Sequence, residues 1–64
     1  MEQIQLKNVR TGDFIKRTET ASRVYVKGHY VRDGSRSYSC TDSDDMNKEI
    51  FIKGNKMVWV GFTY

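Results

Sequence analysis

The chain of 64 residues has room for one domain with one small core, because a chain of this length buries only about 60% of its unfolded surface. Hydrophobic residues make up 38% and charged residues 30% of it, and no apolar run approaches the roughly 20 residues that cross a bilayer. We therefore expect a single soluble domain over residues 1–64, without a membrane partner, and the absence of a secretory-signal pattern at the start predicts a cytoplasmic location.

Cysteine content and charge restrict the class of protein further. Cys40 is the only cysteine, which excludes an intramolecular disulfide and a zinc site made of several cysteines. A small core held by packing alone favours oligomerisation, so a homodimer is one expectation. The net charge is +3, and residues 1–36 carry eight Lys/Arg against four Asp/Glu, a basic bias compatible with a polyanionic partner.

Alternation of apolar and polar residues, rich in Val, Ile, Tyr and Phe, recurs along the chain and predicts strands. In chain order they cover residues 14–18, 23–27 with a continuation to 32, 37–40, 50–53 and 56–60, and residues 3–7 form either a first short strand or the lead into the turn at Thr11-Gly12-Asp13. Gly28 interrupts the third strand and predicts a bulge. Asp33-Gly34 and Gly54-Asn55 predict two tight hairpins, and the acidic connection 41–49 between them predicts a single turn capped by Asp42 or Ser43.

Short strands with tight turns at this spacing predict an all-β fold. The alternatives are a small five- to six-stranded SH3-like barrel, an OB-like barrel, or a strongly bent antiparallel sheet, because curling protects strand edges and builds a one-sided core. The length of the chain favours the SH3-like barrel slightly over the OB-like barrel.

The central strand carries the clearest alternation, which predicts Val24 and Val26 on the core side and their neighbours on the outside. Outward rings with cationic neighbours stack bases and neutralise phosphates, as in single-strand binding proteins. A competing interpretation packs the ring on a neighbouring strand and leaves the cations solvated. The candidate nucleic-acid-binding residues are Arg23, Tyr25, Lys27, Tyr30 and Arg32.

Two further aromatic residues are candidates for contact with a protein. Ile50 and Ile52 on the core side predict that Phe51 points outward, unless the amino-terminal segment covers it. Trp59 lies in a strand with apolar residues on both faces, a pattern typical of burial on two sides or of cover by a partner subunit. The candidate protein-interaction residues are Phe51 and Trp59.

The sequence offers little support for catalysis or for metal binding. The acidic segment lacks the glycine of a calcium loop, and Met46 and Lys48 fall at ligand positions. His29 is the only histidine, with no nucleophile arrangement and no glycine-rich phosphate loop beside it, and Cys40 is expected to face the interior. We therefore predict no enzyme activity, no catalytic residues, no cofactor, no metal and no small-molecule substrate.

Several segments together form a recurring pattern over nearly the whole chain. They are Gly12-Asp13-Phe14-Ile15, Val24-Tyr25-Val26-Lys27-Gly28 with Tyr30, Tyr38 and Cys40, Asp44-Asp45-Met46-Asn47, Phe51, Lys53-Gly54 and Val60-Gly61-Phe62-Thr63-Tyr64. This pattern resembles short proteins of no assigned function encoded in gut Bacteroidales genomes, their phages and mobile elements. The resemblance implies a small cytoplasmic accessory protein of a phage or mobile element, with no catalytic residues to transfer.

The functional expectation is a non-enzymatic binding module. The leading prediction is protein interaction or self-association through an exposed sheet face or edge. The alternative is binding of single-stranded nucleic acid through the basic and aromatic strand face.

Overall fold

The computed structural model describes residues 1–63, and its regular elements are strands and one 3₁₀ turn. The expectation of an all-β fold is confirmed. The elements are β1 (Glu2–Gln5), the 3₁₀ turn (Leu6–Asn8), β2 (Phe14–Ile15), β3 (Tyr25–Tyr30), β4 (Ser37–Asp42), β5 (Glu49–Lys53) and β6 (Met57–Val60).

The strands form two antiparallel sheets, with the order β1-β6 in one and β2-β3-β4-β5 in the other. The sheets meet just after β2, where Lys16 and Trp59 exchange two backbone hydrogen bonds of 3.0 and 2.8 Å. Among residues 1–63 the strands do not close into a barrel. The arrangement has the expected number of strands, in two antiparallel sheets instead of a closed barrel.

The turn at Gly54-Asn55 does not form the expected hairpin, because β5 and β6 belong to different sheets. The turn carries the chain from one sheet to the other. Amide groups of the amino-terminal segment pair with it, since Leu6 N donates to Lys56 O and Lys7 N donates to Gly54 O, both at 2.9 Å. β1 pairs with β6 along its length, so it lies beside β6 where the sequence predicted β5.

The expected acidic connection is present but shorter, over residues 43–48, and it closes a hairpin, since β4 pairs with β5 from Ser37–Lys53 to Thr41–Glu49. The expected helical turn is absent from residues 41–49; the carboxylates of Asp42 and Asp45 accept hydrogen bonds from backbone amides two residues on. Short acidic side chains thereby stabilise a non-helical loop.

The expected hairpin between β3 and β4 is confirmed, although its loop spans residues 31–36 instead of two central residues. The Asp33 carboxylate accepts a hydrogen bond from Ser35 N at 2.8 Å, and Gly34 has a φ of 88°. The expected bulge is also confirmed, because the β3–β4 register shifts between Lys27 and Tyr30 around Gly28.

The core draws on both sheets and on the 3₁₀ turn. Leu6 and Ile15 are completely buried, and Val58 brings β6 into the same cluster. The cluster consists of Leu6, Val9, Ile15, Tyr25, Cys40, Ile52 and Val58. One shared core therefore joins the two sheets, and Cys40 faces the interior as expected.

The bulge gives a test of the β3–β4 packing. A Cβ atom at Gly28 would lie 2.7 Å from the backbone oxygen of Ser39, which cannot move without disturbing the ladder. We expect Gly28→Ala to lower the free energy of unfolding by about 1–3 kcal/mol, measured by urea denaturation. Gly34→Asn is the control, because Gly34 has open space around it and Asn tolerates positive φ; its cost should stay below about 1 kcal/mol. Equal costs would contradict the close approach.

Candidate binding surfaces

The face of β3 that was predicted to contact nucleic acid lies on the core side of the sheet. Tyr25 and Lys27 are only 9% and 4% exposed, and they share the core side of the sheet with Ile15, the cross-strand partner of Tyr25. Val26 lies on the opposite, outer face and is half-buried. The expected outward orientation of Tyr25 and Lys27 is therefore wrong. Val24 is buried as expected, but it precedes the strand.

Lys27 occupies an interior position because each part of its side chain has a suitable partner. Its ammonium Nζ donates to the backbone oxygen of Val9 at 2.5 Å and lies 4.2 Å from the ring centroid of Tyr38. Its aliphatic stem can pack in an apolar interior while the charged tip keeps these partners. Lys27 thereby links the segment after the 3₁₀ turn to the tyrosine of β4.

Burial around Lys27 shifts the pKa values of two titratable groups, the Lys27 ammonium and the Cys40 thiol. Burial lowers the pKa of the Lys27 ammonium, and the nearby Cys40 opposes this shift. Burial also raises the pKa of the Cys40 thiol, against the effects of a hydrogen bond from the Gly28 backbone and of Lys27. Both groups are therefore shifted toward their neutral forms, as expected in a medium of low dielectric. A thiol in this setting is a poor nucleophile.

Above Lys27, at the end of the four-stranded sheet, lies a pocket of about 440 Å³ that we call the tyrosine pocket. It forms where β3 ends, β4 begins and β5 ends. Its lining consists of Lys7, Tyr30, Ser35, Arg36, Tyr38, Lys53, Gly54 and Asn55. Sequence reasoning found only Tyr30 among these, because the other residues come from separate segments that only the sheet order brings together.

The tyrosine pocket combines three cations with two aromatic rings. The rings of Tyr30 and Tyr38 pack edge to face, with centroids 5.2 Å apart and an interplanar angle of 69°. Tyr30 is 45% exposed, and Tyr38 is half-buried above Lys27. Among residues 1–63, no carboxylate lines the pocket. The pocket can therefore offer a ring to a planar group and positive charge to an anion.

One carboxylate does lie near the edge of this pocket. The pKa of Asp33 is lowered mainly by its hydrogen bond from Ser35, with a smaller contribution from the charge of Lys53. Lys53 in turn donates from Nζ to the Ser35 backbone oxygen at 3.3 Å. These contacts stabilise the β3–β4 loop where it borders the pocket.

A second pocket of about 580 Å³ lies between the sheets and contains Arg23. Its lining is Arg17, Thr18, Ala21, Ser22, Arg23, Tyr25, Ile52, Lys56, Met57 and Val58. Arg23 forms a 2.5 Å ion pair with Asp42, whose pKa is lowered mainly by the Asp44 backbone hydrogen bond and further by Arg23. With one of its cations neutralised and its single ring buried, this pocket is the weaker candidate for polyanion binding, although it is the larger one.

The candidate protein-interaction residues lie in different sheets. Phe51 is 61% exposed on the outer face of β5, and Ile52 is buried, so the predicted orientation of Phe51 is confirmed. Trp59 is half-buried in β6, between its cross-strand partner Gln3 and the bridge to Lys16. Because β5 and β6 share no ladder, Phe51 and Trp59 are not neighbours on one sheet face.

Arg32, the remaining nucleic-acid-binding candidate, lies at the surface, as does His29. Both side chains are exposed, and neither lines the two pockets described above. Within residues 1–63, no group of three or more His, Cys, Asp or Glu side chains is arranged to hold a metal ion. The described part of the chain also contains no helix that is long and apolar enough to span a membrane.

Comparisons with known proteins assign no family to the chain. No protein-family model, curated protein or solved structure matches it. The resemblance to short proteins of gut Bacteroidales and their phages therefore stays a prediction.

The buried ammonium of Lys27 predicts a pH dependence of stability. Because its pKa is lower in the folded chain, the unfolded chain binds more protons between the two pKa values, and the free energy of unfolding rises with pH across that window, below the ordinary lysine value. We expect the stability of Cys40→Ala to increase relative to that of the Cys40→Ala/Lys27→Met double variant as the pH rises toward the ordinary lysine pKa of about 10.4. Urea denaturation at each pH measures this difference; the Cys40→Ala background removes thiol titration. Parallel curves would show that Lys27 is hydrated.

Proposed function

We propose that the domain binds single-stranded nucleic acid in the tyrosine pocket. The observation that carries this proposal is the convergence of three cations and two tyrosine rings in one concave site to which the described part of the chain contributes no carboxylate. Stacking of bases on aromatic rings and neutralisation of phosphates by Lys or Arg are the two general requirements for binding single strands.

The rings of the pocket suit stacking because one is accessible and the other is fixed. Tyr30 presents an exposed ring, and Tyr38 is held from below by the Lys27 ammonium. A ring already fixed in place loses little conformational freedom when a base packs on it. Tyr25 and Lys27, which the sequence predicts as ligand contacts, therefore act through the core in this proposal and do not touch the ligand.

The cations of the pocket come from three separate segments. Lys7 follows the start of the 3₁₀ turn, Arg36 ends the β3–β4 loop, and Lys53 ends β5. Their spread around the two rings allows a phosphate on either side of a stacked base to meet a positive charge. The net charge of +3 adds long-range attraction for a polyanion.

Protein contact is the second proposed role, and a different surface supports it. Phe51 is a large apolar side chain in the last strand of the four-stranded sheet. Exposed strand edges are common sites of pairing with another chain. Trp59 is not part of this proposed contact, because it lies in the other sheet.

The class, origin and location of the protein belong to the same proposal. We take the domain as a non-enzymatic accessory protein of the cytoplasm, encoded by a phage or mobile element. An SH3-like relationship, with the OB-like type as alternative, also stays a proposal, supported by six short strands and tight connections.

Nucleic-acid binding is tested by fluorescence anisotropy with labelled oligo(dT) and oligo(rU) of about ten nucleotides at about 20 mM salt. Tyr30→Leu should weaken binding about tenfold, since loss of base stacking costs about 1–3 kcal/mol. Lys7→Ala should weaken binding and make the logarithmic salt dependence shallower by about 0.7, the value for one phosphate contact on a single strand.

Lys48→Ala is the matched control, because it removes the same charge from an exposed loop among acidic residues. It should bind as the unmodified chain does. Equal weakening by Lys7→Ala and Lys48→Ala would show that binding depends on the net charge of the chain and not on the tyrosine pocket. Absence of binding to either oligonucleotide at low salt would refute the proposal.

A further inference from the structure

The sequence of β5 has a central symmetry in its apolar residues and opposite charges at its ends. Its five residues are Glu49, Ile50, Phe51, Ile52 and Lys53. Phe51 lies at the centre, and an isoleucine lies on each side of it. An antiparallel strand runs in the reverse direction, so this strand is complementary to a second copy of itself.

The second edge of β5 is open. β5 is the last strand of its sheet, and no other strand within residues 1–63 pairs with that edge. The register between β4 and β5 runs without a shift from one end to the other. β5 therefore lacks the proline or bulge that often protects an exposed edge.

The backbone groups that face the open edge follow from the hydrogen bonds at both ends of the strand. Asp42 N donates to Lys48 O, and Gly54 N donates to Arg36 O, both at 2.9 Å. Hydrogen-bonded and non-hydrogen-bonded pairs alternate along an antiparallel ladder, so the two isoleucines bond to β4. The residues whose N–H and C=O groups point to the open edge are Glu49, Phe51 and Lys53.

We propose that β5 pairs antiparallel with β5 of a second copy of this chain, with Phe51 opposite Phe51 of the partner subunit. This inference rests on the proposed protein contact through the same edge and gives it a partner and a register. Glu49 then lies opposite Lys53 of the partner subunit, and Lys53 lies opposite Glu49 of the partner subunit. Opposite charges and aromatic rings in directly opposed positions stabilise antiparallel pairs.

The end charges select this register over others. Parallel pairing in register would place like charges together, and a shift by one residue would set the isoleucines, whose backbone groups bond to β4, opposite the edge-facing residues of the partner subunit, where they can form no hydrogen bond. A two-fold contact uses the same edge on both copies and closes the assembly. Five residues a side form a small interface, so the dimer is weak and exchanges readily.

Charge exchange on β5 tests the inference in the full chain. Sedimentation velocity from about 20 μM to 1 mM should show a reversible dimer, as expected for an interface of this size. Glu49→Lys brings two lysines face to face at each end of the paired strands, and Lys53→Glu brings two glutamates face to face there, so each should weaken association at least tenfold. An equimolar mixture of the two variants, and the double variant with both changes, should restore it, because opposite charges face each other again.

Lys48→Glu is the control for net charge, since it makes the same change as Lys53→Glu one residue outside β5, and it should leave the dimer intact. Thermal unfolding checks the fold of each variant, because Glu49 accepts a hydrogen bond from the Ser39 hydroxyl. A chain that stays monomeric to the highest concentration overturns the proposed self-association. A dimer that both charge reversals leave unchanged, or that mixing does not restore, overturns this register while self-association through another surface stands.

Discussion

The contact of the Lys27 ammonium with the Val9 carbonyl and the Tyr38 ring allows the side of β3 that carries Lys27 to face the core. It keeps a charged residue on the core side of β3 and connects the segment after the 3₁₀ turn to β4. The backbone strengthens the connection, because Lys27 N donates to Asp13 O and Gly12 N donates to Lys27 O. The tyrosine pocket consequently rests on a fixed ring. The proposed binding site at the end of the four-stranded sheet depends on this arrangement.

Local signals in the sequence predicted local structure well. Alternation located five of the strands, although β2 is shorter than expected, and left the amino-terminal segment open between a strand and the lead into a turn; Gly28 located the bulge. Strand pairing was harder, since it depends on which segments compete for one edge. The amino-terminal strand takes β6, and the loop with Asp42 and Asp45 folds back as a hairpin through its own carboxylates. The pairing of the amino-terminal strand with β6 is not encoded in the turn residues at Gly54-Asn55.

The direction of the central strand was predicted incorrectly for a physical reason. Alternation shows which side chains share a face of a strand. It does not show which face is buried when the side chains of either face could be accommodated in the core. Tyr25 has more apolar surface to bury than Val26, and Lys27 finds partners for its amine inside. By contrast, the orientation of Phe51 was predictable, because two isoleucines flank it. The two proposed surfaces share Lys53, so nucleic acid and a second copy of the chain would compete for its charge.

Reductive methylation of the folded chain, followed by mass spectrometry, tests the interior position of Lys27 most directly. The chain has six lysines, and five of them have exposed or half-buried side chains. We expect those five to be dimethylated while Lys27 stays unmodified, and unfolding in urea should remove its protection. Modification of Lys27 at the rate of the other lysines in the folded chain would contradict the inward orientation of β3 on which the tyrosine pocket depends.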